Sequence, residues 1–526
     1  MKNADKIING ESYHRSAGIL MPIFSLPSDY GIGDMGPKAY QFIRYLKEAG
    51  QTLWGILPLG PTGYCNSPYK ALSVFAGNPY FISPELLCKE GLVSKDILKR
   101  YDFGSNPSDI DYKKMFDNRI SFLRQAFENW KKTKKYQEDN FKKFKKKNVF
   151  WLKNYALYMS IKEFFSFKPW NLWPDDIRDF RPEAVKKYGR ELKEDILFWY
   201  FIQYEFENQW YKLKKYANDN GIKLIGDMPF YVEYDSADVW SGQNLFEIDE
   251  KTKEIVVSAG VPGDVFSSDV RCWGMPCYNW NELQKYGYSH HLQRFKYNLK
   301  MYDILRVDHA IGFVRYYGIR KGKGEWYEGP DFNNDVLIPK FSHICKKYGK
   351  ELIAEDLGSV PERAYNIFQK YHWAGTRVLQ FGFANRYGTE TIHLPFYYPH
   401  KSVAYTGTHD NPTLKSYIEG LSPKDFSYMQ YYIHTKKCAV EYVQKKMIEI
   451  LYQSASEKVL IPLGDILGFD NKARISFGAE YQKSWRWRLK TMSEFSKVKR
   501  IWLKKMAFAY ARIPFNQEEA ERYGWK

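Results

Sequence analysis

The chain is poor in cysteine. Six residues (Cys65, Cys88, Cys272, Cys277, Cys345 and Cys438) stand in 526, none in a C-x-x-C pair. Thiols so few and so scattered cannot staple a chain of this length; they read as reduced, which points to the cytoplasm. No run reaches the roughly 18 apolar residues of a membrane span, and the opening MKNADKIINGESYHR lacks the apolar stretch of an export signal. The expectation is a soluble protein, neither exported nor bound to a membrane. Also missing are G-x-x-x-x-G-K-[ST] and G-x-G-x-x-G, which leaves nucleotide and dinucleotide binding without support. So are G-x-S-x-G and H-E-x-x-H, the marks of common hydrolytic nucleophiles and zinc sites. Tyr30-Gly31-Ile32-Gly33-Asp34-Met35-Gly36 is dense in glycine but wrongly spaced for a cofactor fingerprint, and reads as a turn. His290-His291 reads as a solvent-facing pair, not as metal ligands. No cofactor and no metal are expected.

Aromatic residues are in surplus: 43 Tyr, 35 Phe and 16 Trp make 18% of the chain. Their faces stack on bases, on sugar rings or on each other, so composition alone admits nucleic-acid, carbohydrate and purely structural uses. The formal net charge is +18. Residues 131–147 (KKTKKYQEDNFKKFKKK) supply much of it, with nine Lys against Glu138 and Asp139. No nucleic-acid-binding signature accompanies this run, and it reads as a solvated helical face.

Eight short apolar runs recur between amphipathic stretches: GILMPI (18–23), TLWGILPL (52–59), KLIGDMPF (223–230), ILRVDHA (304–310), ELIAEDLG (351–358), TRVLQFGF (376–383), SVAYTGTHD (402–410) and KVLIPLGDILG (458–468). Strands alternating with helices predict parallel α/β architecture, and eight is the number that closes a (β/α)8 barrel. The whole chain, 1–526, reads as one such catalytic domain. Two gaps exceed ordinary loops and must carry structure of their own. Segment 85–220 reads as an inserted, Lys-rich helical subdomain, and segment 231–302 as inserted, aromatic-rich ordered loops over the active face.

Carboxylates and their partners fall at the C-terminal ends of these runs: Asp227, Asp308 with His309, Glu355 with Asp356, His409 with Asp410, and Asp465. In a parallel barrel those ends share one face, so residues distant in sequence meet in one pocket, although Asp also ends strands simply as a turn former. In Arg306-Val307-Asp308-His309 strand alternation puts Arg306 and Asp308 on one side, where a guanidinium keeps a carboxylate ionised and fit to act as a nucleophile. Taken alone, the pair fits a structural ion pair equally well. Glu355 closes an apolar strand, where burial raises a carboxyl toward general-acid duty. With Asp410 and its His partner these form the set that α-glucoside cleavage requires.

The motifs carrying these residues resemble those of the amylomaltases, the 4-α-glucanotransferases of glycoside hydrolase family 77. The resemblance runs in order through SLPSDYGIGDMG (25–36), LWGILPLGPTGYCNSPYKALSVFAGNP (53–79), GDMPFYV (226–232), GVPGDVFS (260–267), RVDH, AEDLG, VLQFGF and YTGTHDN (405–411), with a weaker SWRWR (484–488). It implies a (β/α)8 barrel with inserted subdomains and no separate C-terminal β-sandwich, with Asp308 as nucleophile, Glu355 as acid and base, and Asp410 as the carboxylate that binds ring hydroxyls and favours the distorted sugar. It implies that Arg306 orients Asp308 and that His309, His409 and Asp227 bond hydroxyls of the transferred sugar. Ser67 and Tyr69, in SPY, match that sugar's platform. Trp273 and Phe381 match aromatic subsite walls, Tyr64 a peripheral glucan contact, and the loop around Asp264 bears on keeping water from the intermediate. The partners implied are maltooligosaccharides and α-1,4-glucans, with neither nucleic acid nor membrane. The chain departs from the family pattern at Cys65-Asn66, Arg271, Met275, Ala310-Ile311, Pro412 and Ser476-Phe477-Gly478-Ala479. These changes touch the subsite surface and no catalytic carboxylate. An α-glucan hydrolase on the same scaffold and a glucan-binding protein with little turnover are the competing readings.

Overall fold

The computed structural model describes residues 15–63, 65–263, 270–383, 391–478 and 480–524. Eight parallel strands close into a barrel: β1 (Ser16–Leu20), β2 (Leu53–Gly55), β3 (Lys223–Met228), β4 (Ile304–Val307), β5 (Glu351–Ala354), β6 (Ala374–Val378), β7 (Ser402–Tyr405) and β8 (Lys458–Pro462). Each overlaps one of the eight apolar runs, with β1 and β6 beginning two residues before theirs. β1 closes the ring, pairing with β2 from Gly18↔Leu53 and with β8 from Ser16↔Lys458. The strands are almost wholly buried, as expected where helices cover one face and side chains fill the other. Close approach matters at Gly226 on β3, where a Cβ would lie 2.1 Å from the Tyr302 ring. Only glycine fits that position, immediately before Asp227.

Between β2 and β3 run the long helices Tyr112–Lys132, Val149–Phe164 and Lys193–Asp219, with the Lys-rich helix Asp139–Lys147 beside them. Much of the aromatic surplus is spent here. Trp130, Tyr155, Tyr158, Phe198 and Trp199 are buried, and pairs such as Phe127 with Phe198 meet edge to face at 5.6 Å. On the Lys-rich helix Phe141 and Phe144 point inward while the lysines face solvent. None of the helices described is long and apolar enough to cross a membrane.

Segment 231–302 is more regular than loops. It contains strands Ser258–Val261 and Arg271–Pro276 and helices Trp280–Lys285 and Ser289–Met301. The two strands join Arg315–Arg320 and Lys323–Glu328 in a four-stranded antiparallel sheet, with Arg271–Pro276 at one edge. His290-His291 also departs from expectation. His291 is buried against Tyr278 and Trp280, with ring centroids 4.5 and 5.2 Å away, and burial holds its pKa well below the usual value. The apolar side of helix Ser289–Met301 therefore includes this imidazole.

Candidate active site

Strand register assembles the centre of the site. Asp227 on β3 lies opposite Arg306 on β4, and Val307 lies opposite Ala354 on β5. Asp308 and Glu355 are thus the first residues beyond paired positions of adjacent strands. Alternation returns Asp308 to the side of Arg306. One guanidinium nitrogen, Nη1 of Arg306, lies 2.5 Å from Oδ2 of Asp227 and 3.1 Å from Oδ1 of Asp308. The Tyr69 hydroxyl donates to that same Asp227 oxygen at 2.7 Å. The other, Oδ1, is buried with no hydrogen-bond partner among the described residues. The Glu355 backbone N–H donates to the Val307 carbonyl, and its carboxylate accepts the His309 backbone N–H at 2.6 Å. His309 reaches that position with a left-handed backbone, φ 43°, uncommon outside glycine and typical of functional turns.

Charge is crowded here. Burial pushes the Asp308 carboxyl well above its usual range; Arg306 pulls it back, while Asp227, Glu355 and Asp410 push it further. Burial likewise raises Glu355, to about 7, against Arg306 and the His309 N–H, with Asp356 and Asp410 adding to the rise. Two such acids titrate as a pair. Arg306 is in hydrogen-bond contact with Asp308, so the pair's negative charge is best held there and its proton on Glu355. Burial lowers His309 to about 4 and lowers His409 as well. Both imidazoles are therefore neutral near pH 7.

The end of β7 completes the floor. The His409 ring stacks on Tyr69, with centroids 5.0 Å apart and planes 16° apart, and its Nε2 lies 3.3 Å from Asp410. Asp410 itself is open, its side chain 65% exposed. Ser476 N–H donates to the His409 carbonyl at 3.1 Å, and Arg474 donates to the Asp410 carbonyl at 2.8 Å. Trp485, at φ 66°, brings its ring within 5.9 Å of both Tyr69 and His409.

A family model described as 4-alpha-glucanotransferase matches residues 21–494. The chain belongs to the 4-alpha-glucanotransferase family. Transfer of glucan segments is that family's activity, and this chain is an enzyme of that type. It is 38% identical over 484 residues to a 4-alpha-glucanotransferase of Clostridium butyricum, covering 89% of this chain and 95% of that protein. To one of Thermus thermophilus it is 34% identical over 486 residues, covering 90% and 95%. Its fold is similar to that of the amylomaltase of Streptococcus agalactiae, solved in complex with acarbose, with a TM-score of 0.88, 34% identity, and coverage of 95% of this chain and 100% of that one.

Against this family frame, the remaining residues singled out from sequence fall in several places. Trp273, on the edge strand Arg271–Pro276, sets its ring edge-on to His309 at 5.4 Å and 89°. Phe381 follows β6, and its ring meets His393 at 5.3 Å. Ser67 is buried and its Oγ accepts the Tyr69 N–H at 3.3 Å, so it shapes the turn that presents Tyr69. Tyr64 and Asp264 lie outside the described residues. Two strand-end carboxylates do structural work instead. Asp356 accepts from Arg377 at 3.1 Å and from the Thr376 N–H at 2.6 Å, and Asp465 accepts from Thr406 and the Leu414 N–H at 2.6 and 2.7 Å. Sequence reading did not single out Trp485 or Arg474, although SWRWR held the signal for the first. Among the described residues, no group of three or more His, Cys, Asp or Glu is arranged to hold a metal.

Proposed function

We propose that this enzyme moves α-1,4-glucan segments between maltooligosaccharides by double displacement with retention. In the first step an Asp308 oxygen bonds to the anomeric carbon as the glycosidic bond breaks, and the Glu355 proton passes to the leaving oxygen. In the second, the 4-hydroxyl of an acceptor sugar attacks that carbon, its proton returns to Glu355 and Asp308 leaves as carboxylate. Arg306 orients Asp308 and holds it ionised. Asp227, His309 and His409 bond hydroxyls of the transferred sugar on the Tyr69 platform, Ser67 supporting the turn, and the open Asp410 takes ring hydroxyls as the sugar distorts. Trp273 and Phe381 wall the flanking subsites, with Tyr64 more peripheral and the loop around Asp264 restricting water.

One feature carries this reading: a single buried guanidinium contacts Asp308, while Glu355, one strand away, carries a carboxyl raised to about 7. The guanidinium contact at Asp308, and not a lower titration point, separates the nucleophile from the acid. The same reading takes 1–526 as one barrel domain, with 85–220 and 231–302 as insertions. It places the enzyme in the cytoplasm, consistent with six unpaired cysteines, with glucans as partners and neither nucleic acid nor membrane.

The test is incubation with pure maltotriose without added cofactor, following chain lengths and total reducing ends. Glucose and longer maltooligosaccharides at constant reducing ends are expected. A rise in reducing ends would assign hydrolysis instead, and binding without any product from maltotriose or longer donors would assign a glucan-binding role.

A further inference from the structure

Lys70 stands next to the Tyr69 platform, yet its side chain leaves the sugar site. Its Nζ donates to the Trp273 carbonyl at 2.7 Å and lies 4.0 Å from Oε2 of Glu233 and 5.7 Å from the Tyr481 ring centroid. Both charged side chains are largely buried, at 22% and 17% exposure. Trp273 sits on the edge strand of the four-stranded sheet, so among the described residues no neighbouring strand holds its backbone on one side. The next residue, Gly274, turns to φ 72°, and the pairing register of this strand shifts between Ser258 and Gly260. Strand pairing thus anchors Trp273 weakly, and Lys70 adds a charge-assisted bond at its carbonyl.

The Trp273 ring packs against His309, whose backbone N–H binds Glu355. We propose that Lys70 is a positioning residue for transfer: it ties the edge strand carrying Trp273 to the Ser67–Tyr69 turn and fixes the wall on the Glu355 side of the cleft. This rests on reading Glu355 as acid and base, since that group faces the leaving sugar first and the acceptor afterwards. A wall steadied there by this bond governs how an acceptor is held, and a displacement of about 1 Å is enough to cost orders of magnitude in reaction with a bound partner.

The experiment uses the full chain with an α-maltosyl fluoride donor and glucose as acceptor, comparing wild type, Lys70→Met and Lys70→Arg. For Lys70→Met, the acceptor KM is expected to rise about tenfold or more, as loss of a charged hydrogen bond implies. The share of glycosyl groups lost to water should rise with it, while fluoride release stays within about threefold and Lys70→Arg recovers most of the loss. Acceptor KM and water partition both unchanged in a folded Lys70→Met would overturn the inference, as would equal losses in fluoride release and transfer. Should Lys70→Met not fold, Lys70→Gln, which removes the charge and shortens the reach, is read by the same criteria. Controls separate this from the underlying reading: fluoride release that survives Asp308→Asn overturns the catalytic assignment, whatever Lys70 does.

Discussion

Arg306 and Asp227 are register partners on adjacent strands, and their side chains meet at 2.5 Å inside the barrel. Asp308 takes the same guanidinium nitrogen at 3.1 Å, so one cation serves two carboxylates. Arg306→Met would strand both. Removing one partner of a buried ion pair costs about 3–5 kcal/mol, and the Asp308 carboxyl would climb further. Turnover on maltotriose is expected to fall by at least about 100-fold, with a lower thermal midpoint and an acidic limb of the pH profile moved upward. A wild-type acidic limb in a folded variant would show that Arg306 does not govern Asp308.

The proposed mechanism assigns the alkaline limb to Glu355. Its carboxyl is raised to about 7, and a general acid works only while protonated. The kcat/KM on maltotriose should therefore decline about tenfold per pH unit above about 7. Glu355→Gln should lower that activity by about 10²–10⁴-fold yet spare the first step with a fluoride donor, and the alkaline limb should vanish with it. Equal losses on both donors would remove Glu355 from the acid role.

Stability at low pH depends on the opposite mouth of the barrel. Burial pushes Glu351 up, but Lys458 at 2.6 Å and Lys223 at 3.2 Å outweigh it and hold the carboxyl at about 2. A depressed carboxyl contributes stability above its ordinary value near 4.5, and loses it as pH falls toward 2. The stability difference between wild type and Glu351→Gln, from urea denaturation, should be largest above pH 4.5 and shrink at lower pH. A difference independent of pH would exclude this cluster as its source.

The barrel was legible because burial on both faces writes each strand as an apolar run. The convergence of Asp227, Arg306, Asp308 and Glu355 at the candidate site was legible because strand alternation and strand ends are geometric rules. The antiparallel sheet escaped because Arg271–Pro276 (RCWGMP) contains glycine and proline and no alternation. One of its hairpins did carry a signal. Arg315–Arg320 and Lys323–Glu328 are joined by Lys321-Gly322, both at positive φ, the two-residue turn that matches strand twist. Asp356 and Asp465 look like Asp308 in sequence, and which of them meets a buried donor depends on neighbours such as Arg377 and Thr406, which no spacing reveals. His291 was misjudged because a polar residue in a polar-looking stretch gives no sign that two aromatic rings will enclose it.

The proposed covalent step admits the most direct measurement. Glu355→Ala, incubated with an α-maltosyl fluoride and no acceptor, should form the glycosyl-enzyme faster than it breaks down. Intact mass spectrometry is expected to show one added maltosyl group, and peptide mapping should place it on Asp308. An adduct on another residue, or fluoride release with no adduct and a product of inverted configuration, would contradict the double-displacement account.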